Sequence, residues 1–314
     1  MTLGTDPIGA ATSPSPTPAA ATPSQPAAPG PSGNADDGGT GPGISRFVGP
    51  TVMFGLFIAF WYFAHHVLMS ENRRFLMPTP HAVIDQAFLT WEIERGSSGS
   101  RTGGGLKPIL EGLWSSTQVA ALGLFIAIVL GLALATVMSQ AKWIENATYP
   151  FLVALQAMPI LAFVPLIGSL FGFDFWSRVL VCIMIALFPI VANTLFGLIS
   201  VDRGYHELMT LNGAGRMTRL VKLQFPAAMP SIFTGLQISA GLSVVGAVVG
   251  DFFFRQGEPG LGRLINTYQN SNEIEQMFGT VIVSALLGIA VFVFFGWLSK
   301  IAIGKWHETS RTGT

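Results

Sequence analysis

The chain is short of charge. Asp, Glu, Lys and Arg make up only 11% of its 314 residues, against roughly 25% in a soluble protein. Basic and acidic residues number 17 each. A formal charge of zero gives no bulk attraction to nucleic acid. There is one cysteine, Cys182. It excludes an intrachain disulfide and, inside an apolar run, reads as a small buried apolar side chain. Chemical motifs are missing as well. No H-E-x-x-H or C-x-x-C spacing occurs, and the glycine runs at 38–43 and 103–105 lack the G-x-x-x-x-G-K-[ST] pattern that cradles phosphate. No catalytic residue, metal site or nucleotide cofactor is therefore expected in this chain.

What is present is apolar: half of the residues are hydrophobic. Residues 1–44 are the exception. They are Pro, Ala, Gly, Thr and Ser with almost no large apolar side chain. Such a segment buries too little surface to offset its ordering entropy and is expected to be disordered. It lacks the basic start and apolar stretch of a signal peptide. Beyond it, runs free of Asp, Glu, Lys and Arg cover 47–70, 112–141, 146–173, 179–201, 223–250 and 276–299. Each supplies the roughly 20 residues that cross about 30 Å of hydrocarbon as helix. No alternating barrel pattern appears, and a strand edge cannot be left unpaired in lipid. The fold class expected is an all-α membrane protein of six spans. It divides into a tail (1–44), a first span and linker (45–111), a membrane core (112–305) and a second tail (306–314).

The 71–111 connection is broken up by Pro78, Pro80 and glycines. Residues 81–94 within it carry Val83, Ile84, Ala87, Phe88 and Trp91 at helical spacing. They predict a short amphipathic helix at the membrane interface, with a linker helix of purely structural value as the favoured reading of its role. Ionisable groups at depth are nearly absent, which disfavours a proton- or sodium-coupled carrier. Arg178 and Asp251 fall at span ends, where snorkelling or capping is the default reading. Pro159, Pro165 and Pro189 lie inside spans three and four and predict bends. Gln156 and Asn193 are the polar side chains expected at depth. With Pro159 and Pro165 they are the candidates for a transport pathway, beside the plain alternative of interhelical hydrogen bonds.

The most informative segment separates the fourth and fifth runs. It reads Glu207-Leu208-Met209-Thr210-Leu211-Asn212-Gly213-Ala214, then Arg216, Arg219 and Lys222, then Leu223-Gln224-Phe225-Pro226. A helix is expected from near Asp202, pausing at Gly213, where glycine permits a positive-φ turn or close approach of another chain. A second short helix would put Arg216, Arg219 and Lys222 on one side and Met217, Leu220 and Val221 toward the bundle. Pro226 would reset the backbone for the next span. Loop charge favours both termini on the side of this segment, with the net acidic 251–275 loop opposite.

The spacing of Glu207, Gly213, Leu223, Phe225 and Pro226 resembles the cytoplasmic "EAA" loop of ABC importer permeases. Leu208 and Met209 stand where that family usually has Ala, and Phe225 where Leu is common. Ser115-Ser116-Thr117, Tyr149-Pro150, the 162–166 stretch with Phe171-Gly172, residues 188–194 and Pro259-Gly260-Leu261-Gly262 look like its nitrate/sulfonate/taurine/bicarbonate branch. The resemblance covers roughly residues 75–305. It implies a type I ABC importer permease fold with a coupling helix between helices 4 and 5. Glu207, Leu208, Met209, Gly213, Ala214, Arg216, Arg219, Leu223, Phe225 and Pro226 would grip a cytoplasmic ABC ATPase dimer that binds ATP and Mg. A second permease subunit, an extracytoplasmic binding protein and the bilayer of the cell membrane complete the implied partners. The expected function is translocation of a small anionic or zwitterionic solute, sulfonate-, taurine- or nitrate-like or a pyrimidine precursor. The alternative is an ATP-independent carrier or channel.

Overall fold

A computed structural model describes residues 45–93, 103–254 and 258–304, with 45–47 as backbone only. The predicted tails and residues 94–102 of the linker lie outside the described residues. The chain divides into a unit of residues 1–53 and one of Phe54–Thr314. Of the first, only the start of helix α1 (Ser45–Phe63) is described.

Among the described residues, five helices are long and apolar enough to cross a membrane. They are Val48–Leu68, Leu106–Gln140, Phe175–Ile199, Arg216–Phe253 and Ile274–Ile303. The third predicted span is not one rod. It is α4 (Lys142–Ala157) and α5 (Ile160–Phe171), bent by 98° at their junction. Six spans result if the bent pair counts as one. Pro159 was expected to kink a continuous helix. Instead Met158 and Pro159 are extended, with ψ of 133° and 94°. The residue before a proline is pushed out of the helical region, and here the following residue does not return to it. Twelve residues of α5 reach only about 18 Å, so α5 cannot span alone.

The core is built on α6 (Phe175–Ile199) and α9 (Phe225–Phe253), which share the most extensive interface, with α3 (Leu106–Gln140) and α11 (Ile274–Ile303) packed around them. Leu124, Ala127, Ala186, Ile190, Ile232 and Leu236 form its main buried cluster. Pro189 stays inside α6. It leaves the carbonyl of Ile185 without an amide partner. One residue on, Ser239 Oγ reaches across from α9 and donates to Ala186 O at 2.8 Å, a cross-helix tie beside the proline. Four of the five exposed tryptophans among the described residues mark two levels: Trp114 and Trp176 near one end, Trp143 and Trp297 near the other. From Trp114 to the end of α3 is about 39 Å of helix, close to the 40–45 Å between headgroup layers.

The linker between α1 and α3 is held down at several points. α1 continues as a π turn, Ala64–Leu68, followed by a 3-10 turn, Glu71–Leu76. His65 Nδ1 donates to Met77 O at 2.6 Å, and Trp61 Nε1 to Pro78 O at 3.0 Å. The predicted amphipathic helix is shorter than 81–94. It is α2 (Pro80–Val83) plus a π turn, Ile84–Leu89, closed by Thr90. Nor does its apolar face as a whole lie in lipid. Val83 and Ala87 are buried, with Ala87 packed among Ile109, Leu261 and Val283, while Ile84 and Trp91 point outward. Buried Gln276 of α11 locks the arrangement. Its Oε1 accepts from Gly105 N at 3.1 Å and its Nε2 donates to Gln86 O at 3.0 Å.

Gln276→Leu keeps the volume but strands two backbone groups. An unfolding free energy lower by about 1–3 kcal/mol, with faster protease cutting in the linker, is the expected result in detergent micelles. Unchanged stability would contradict the clamp.

Candidate functional site

Helix α7 (Arg203–Leu211) begins where the Asp202 side chain accepts from Gly204 N at 2.7 Å, an N-cap. Its other end is a Schellman turn. Ala214 N donates to Met209 O and Gly213 N to Thr210 O, each at 2.9 Å, with Gly213 at φ +72°. Of the two uses foreseen for Gly213, the positive φ is the one found within this chain. A side chain there would meet nothing within 4 Å, so no neighbouring segment demands the glycine. α7 turns an uncovered apolar row outward: Tyr205, Leu208 and Leu211 recur every three residues, and Leu211 is 87% exposed. Glu207 is exposed beside them and makes no side-chain hydrogen bond or ion pair among the described residues.

The second limb departs from expectation. α8 (Arg216–Arg219) passes through a π turn, Leu220–Gln224, directly into α9 without leaving helical backbone. Arg216–Phe253 is thus one span-length helix of 38 residues. Pro226 does not reset the backbone. In the π turn Phe225 N–H donates to Leu220 O, and the wider turn makes room for the ring that would otherwise press on the carbonyl four residues back. The expected burial of this limb holds only for Leu220; Met217 and Val221 are exposed. Among the basic residues, Arg219 has an internal role. Its Nη1 donates to Thr210 Oγ1 at 3.1 Å and ties the two limbs together. Leu223 and Phe225 are half-buried, and Pro226 with Lys222, Asp202 and Ile303 lines a cleft of about 620 Å³ behind α7.

At the opposite end of α9 sits a feature that span-end reasoning missed. Arg178 and Asp251 neither snorkel nor cap. They form a buried ion pair, Nη1 to Oδ1 at 2.7 Å, with side chains 4% and 2% exposed. Arg178 Nη1 also donates to Glu258 O at 3.3 Å, and Arg263 N to Asp251 Oδ2 at 3.4 Å. Ser116 Oγ of α3 accepts from Leu261 N at 2.9 Å. Residues 258–263 lead into α10 (Leu261–Ser271) and lie hard against α9. A Cβ on Gly260 would strike Asp251 Oδ2, and one on Gly262 would strike Val248 O. Close approach is thus the reason for Pro259-Gly260-Leu261-Gly262. The 73 residues separating the ion-pair partners gave no local signal. The available clue was two lone charges of opposite sign at the same depth of two apolar runs. Within α10, burial pushes the Tyr268 phenol up to about 12. Its hydroxyl and Arg178 Nε are buried with no partner among the described residues.

Three of the pathway candidates lie along the bent pair and the fourth on α6. Gln156 is exposed in the last turn of α4, Pro159 is in the break and Pro165 is on the outer face of α5. Half-buried Asn193 donates from Nδ2 to Pro189 O of its own helix at 2.8 Å. No group of three His, Cys, Asp or Glu side chains is placed to hold a metal ion among the described residues.

Residues 127–303, more than half of the chain, match the family described as binding-protein-dependent transport system inner membrane component. The chain is 34% identical over 194 residues to the formylaminopyrimidine transport permease protein ThiX of Halalkalibacterium halodurans, covering 62% of this chain and 76% of that protein. It is 33% identical over 171 residues to the riboflavin transport system permease protein RibX of Chloroflexus aurantiacus, covering 54% and 63%. It is 25% identical over 259 residues to the nitrate import permease protein NrtB of Synechocystis sp., covering 82% and 90%.

Gly213→Ala forces a Cβ into the left-handed region. It should weaken the turn by about 1 kcal/mol and speed exchange of the Ala214 amide about fivefold. Gly213→Asn, which tolerates that region, should do markedly less. Equal effects would mean that positive φ is not what the position requires.

Proposed function

The chain belongs to the binding-protein-dependent transport system inner membrane component family and is a multi-pass ABC importer permease; from that premise we propose that α7 and the start of its long helix form the contact with a separate ABC ATPase. In this reading both termini and α7 face the cytoplasm, and the Arg178–Asp251 end faces outward. The observation that carries it is the exposed row Tyr205, Leu208 and Leu211 beside unpaired Glu207. Leaving such a row in water is unfavourable by roughly 25 cal/mol per Å², and a contiguous uncovered patch marks an interaction surface. ATP and Mg belong to the partner. A second copy of the permease and an extracytoplasmic binding protein complete the assembly, and closure of the ATPase pair drives the solute across.

For the solute we favour a pyrimidine-like heterocycle over nitrate or a sulfonate. The two relatives named for formylaminopyrimidine and riboflavin transport match at 34% and 33%, against 25% for the nitrate permease. The charge of the helices supports this: among the described residues the one buried cation, Arg178, is already neutralised by Asp251, so a free anion would cross without a compensating charge. The bent pair, with Gln156, Pro159 and Pro165 exposed along it, faces the solute. Asn193 stays a tie within the wall.

Leu211→Asp and Gly213→Asp test the contact. Each should leave the permease in the membrane, reduce co-purification of the ATPase and abolish ATP-dependent uptake in vesicles. Normal uptake with normal ATPase association rules the contact out. Uptake by the permease alone, without ATPase, supports the carrier alternative instead.

A further inference from the structure

We propose that Asp251 and Arg178 are positioning residues at the outer end of a connecting rod. Through them, movement imposed on the Arg216 end of α9 reaches the segment 258–271. The inference rests on the coupling reading of α7 and deepens it.

Three observations converge. First, Arg216–Phe253 is one helix, about 57 Å long. It therefore reaches from the Arg219–Thr210 tie beside α7 to the far end of the bundle. Pro226 and Pro230 both lie inside it without ending it. Second, Asp251 sits two residues before the end of the rod and joins it to everything nearby. It takes Arg178 Nη1 of α6 with one oxygen and the Arg263 amide of α10 with the other. Gly260 packs directly on that second oxygen and on Ser116 Oγ, which itself holds Leu261 N. Three helices, α6, α9 and α10, thus meet at one carboxylate, and α3 joins them through Gly260 and Leu261. Third, the joint is not saturated. Arg178 Nε, in the joint itself, is buried without a partner among the described residues. Buried polar groups are nearly always paired. An orphan at the ion pair fits a group whose acceptor arrives in the other state of a bistable junction. An ion pair placed only for stability would be weak evidence of anything. A carboxylate shared between the rod and the outer segment, with no room for a Cβ between them, transmits displacement because neither side can slip.

The test uses the full permease co-purified with its ATPase in lipid nanodiscs. Hydrogen exchange is read in 203–211 and in 258–271, nucleotide-free and with ATP plus vanadate. In the unaltered protein both segments should change their exchange on trapping. In Asp251→Asn the 203–211 response should persist while the 258–271 response falls about fivefold or more, as should uptake per ATP hydrolysed. Ser116→Ala, a milder change that keeps the ion pair, should lower the 258–271 response in the same direction. It decides the matter if Asp251→Asn does not reach the membrane. An undiminished 258–271 response in the variants overturns the joint and leaves the ATPase contact intact. Absence of any response in 203–211 of the unaltered protein overturns the contact as well.

Discussion

The constraint on which the structure depends is that backbone in hydrocarbon must satisfy its own hydrogen bonds. In this chain it forbids a break where the sequence most invites one. Helix α9 enters the bundle at Phe225-Pro226 and carries Pro230 a turn later. A broken helix here would expose amides and carbonyls to an apolar core. The chain answers with a π turn over Leu220–Gln224 and stays helical. Because it does, the segment presenting Arg216 and Met217 is the end of the central helix, not a separate hairpin resting on it. The extensive packing of α9 on α6, the tie from Ser239 to Ala186 O and the ion pair at Asp251 all act on that one rod.

The bent pair shows the same constraint resolved the other way. At Met158-Pro159 the backbone does leave the helix, and α5 packs through Val164 and Ile167 against Val181 and Phe254. A proline whose flanking residues stay helical is carried inside its helix; one preceded by an extended residue ends its helix. Pro189, Pro226 and Pro230 fall in the first class and Pro159 in the second.

The distribution of charge made most of this legible. Runs without Asp, Glu, Lys or Arg located the spans to within a few residues, and the spacing from Glu207 to Pro226 located the segment between the fourth and fifth of them. Local rules also found the Asp202 start and the Gly213 stop of α7, because caps and positive-φ turns are written in adjacent residues. What escaped was non-local. Whether a proline kinks, breaks or is absorbed depends on the helix beside it. The pairing of Arg178 with Asp251 depends on α6 lying along α9. Gly260 and Gly262 were recognisable as a pattern, but their reason, the nearness of Asp251 and Val248, exists only in the folded chain. The exposure of Met217 and Val221 was missed because a face that looks apolar in sequence need not pack against its own chain.

Everything in the account follows from the rod being unbroken. Spin labels at Met217 and Val245, both exposed and 28 residues apart along one helix, should lie about 42 Å apart. That separation is measured by pulsed electron resonance in the lipid-embedded complex with its ATPase. The same narrow distance is expected nucleotide-free and ATP-trapped. A distance that shortens or broadens on trapping would place a hinge at Leu220–Gln224 and contradict it.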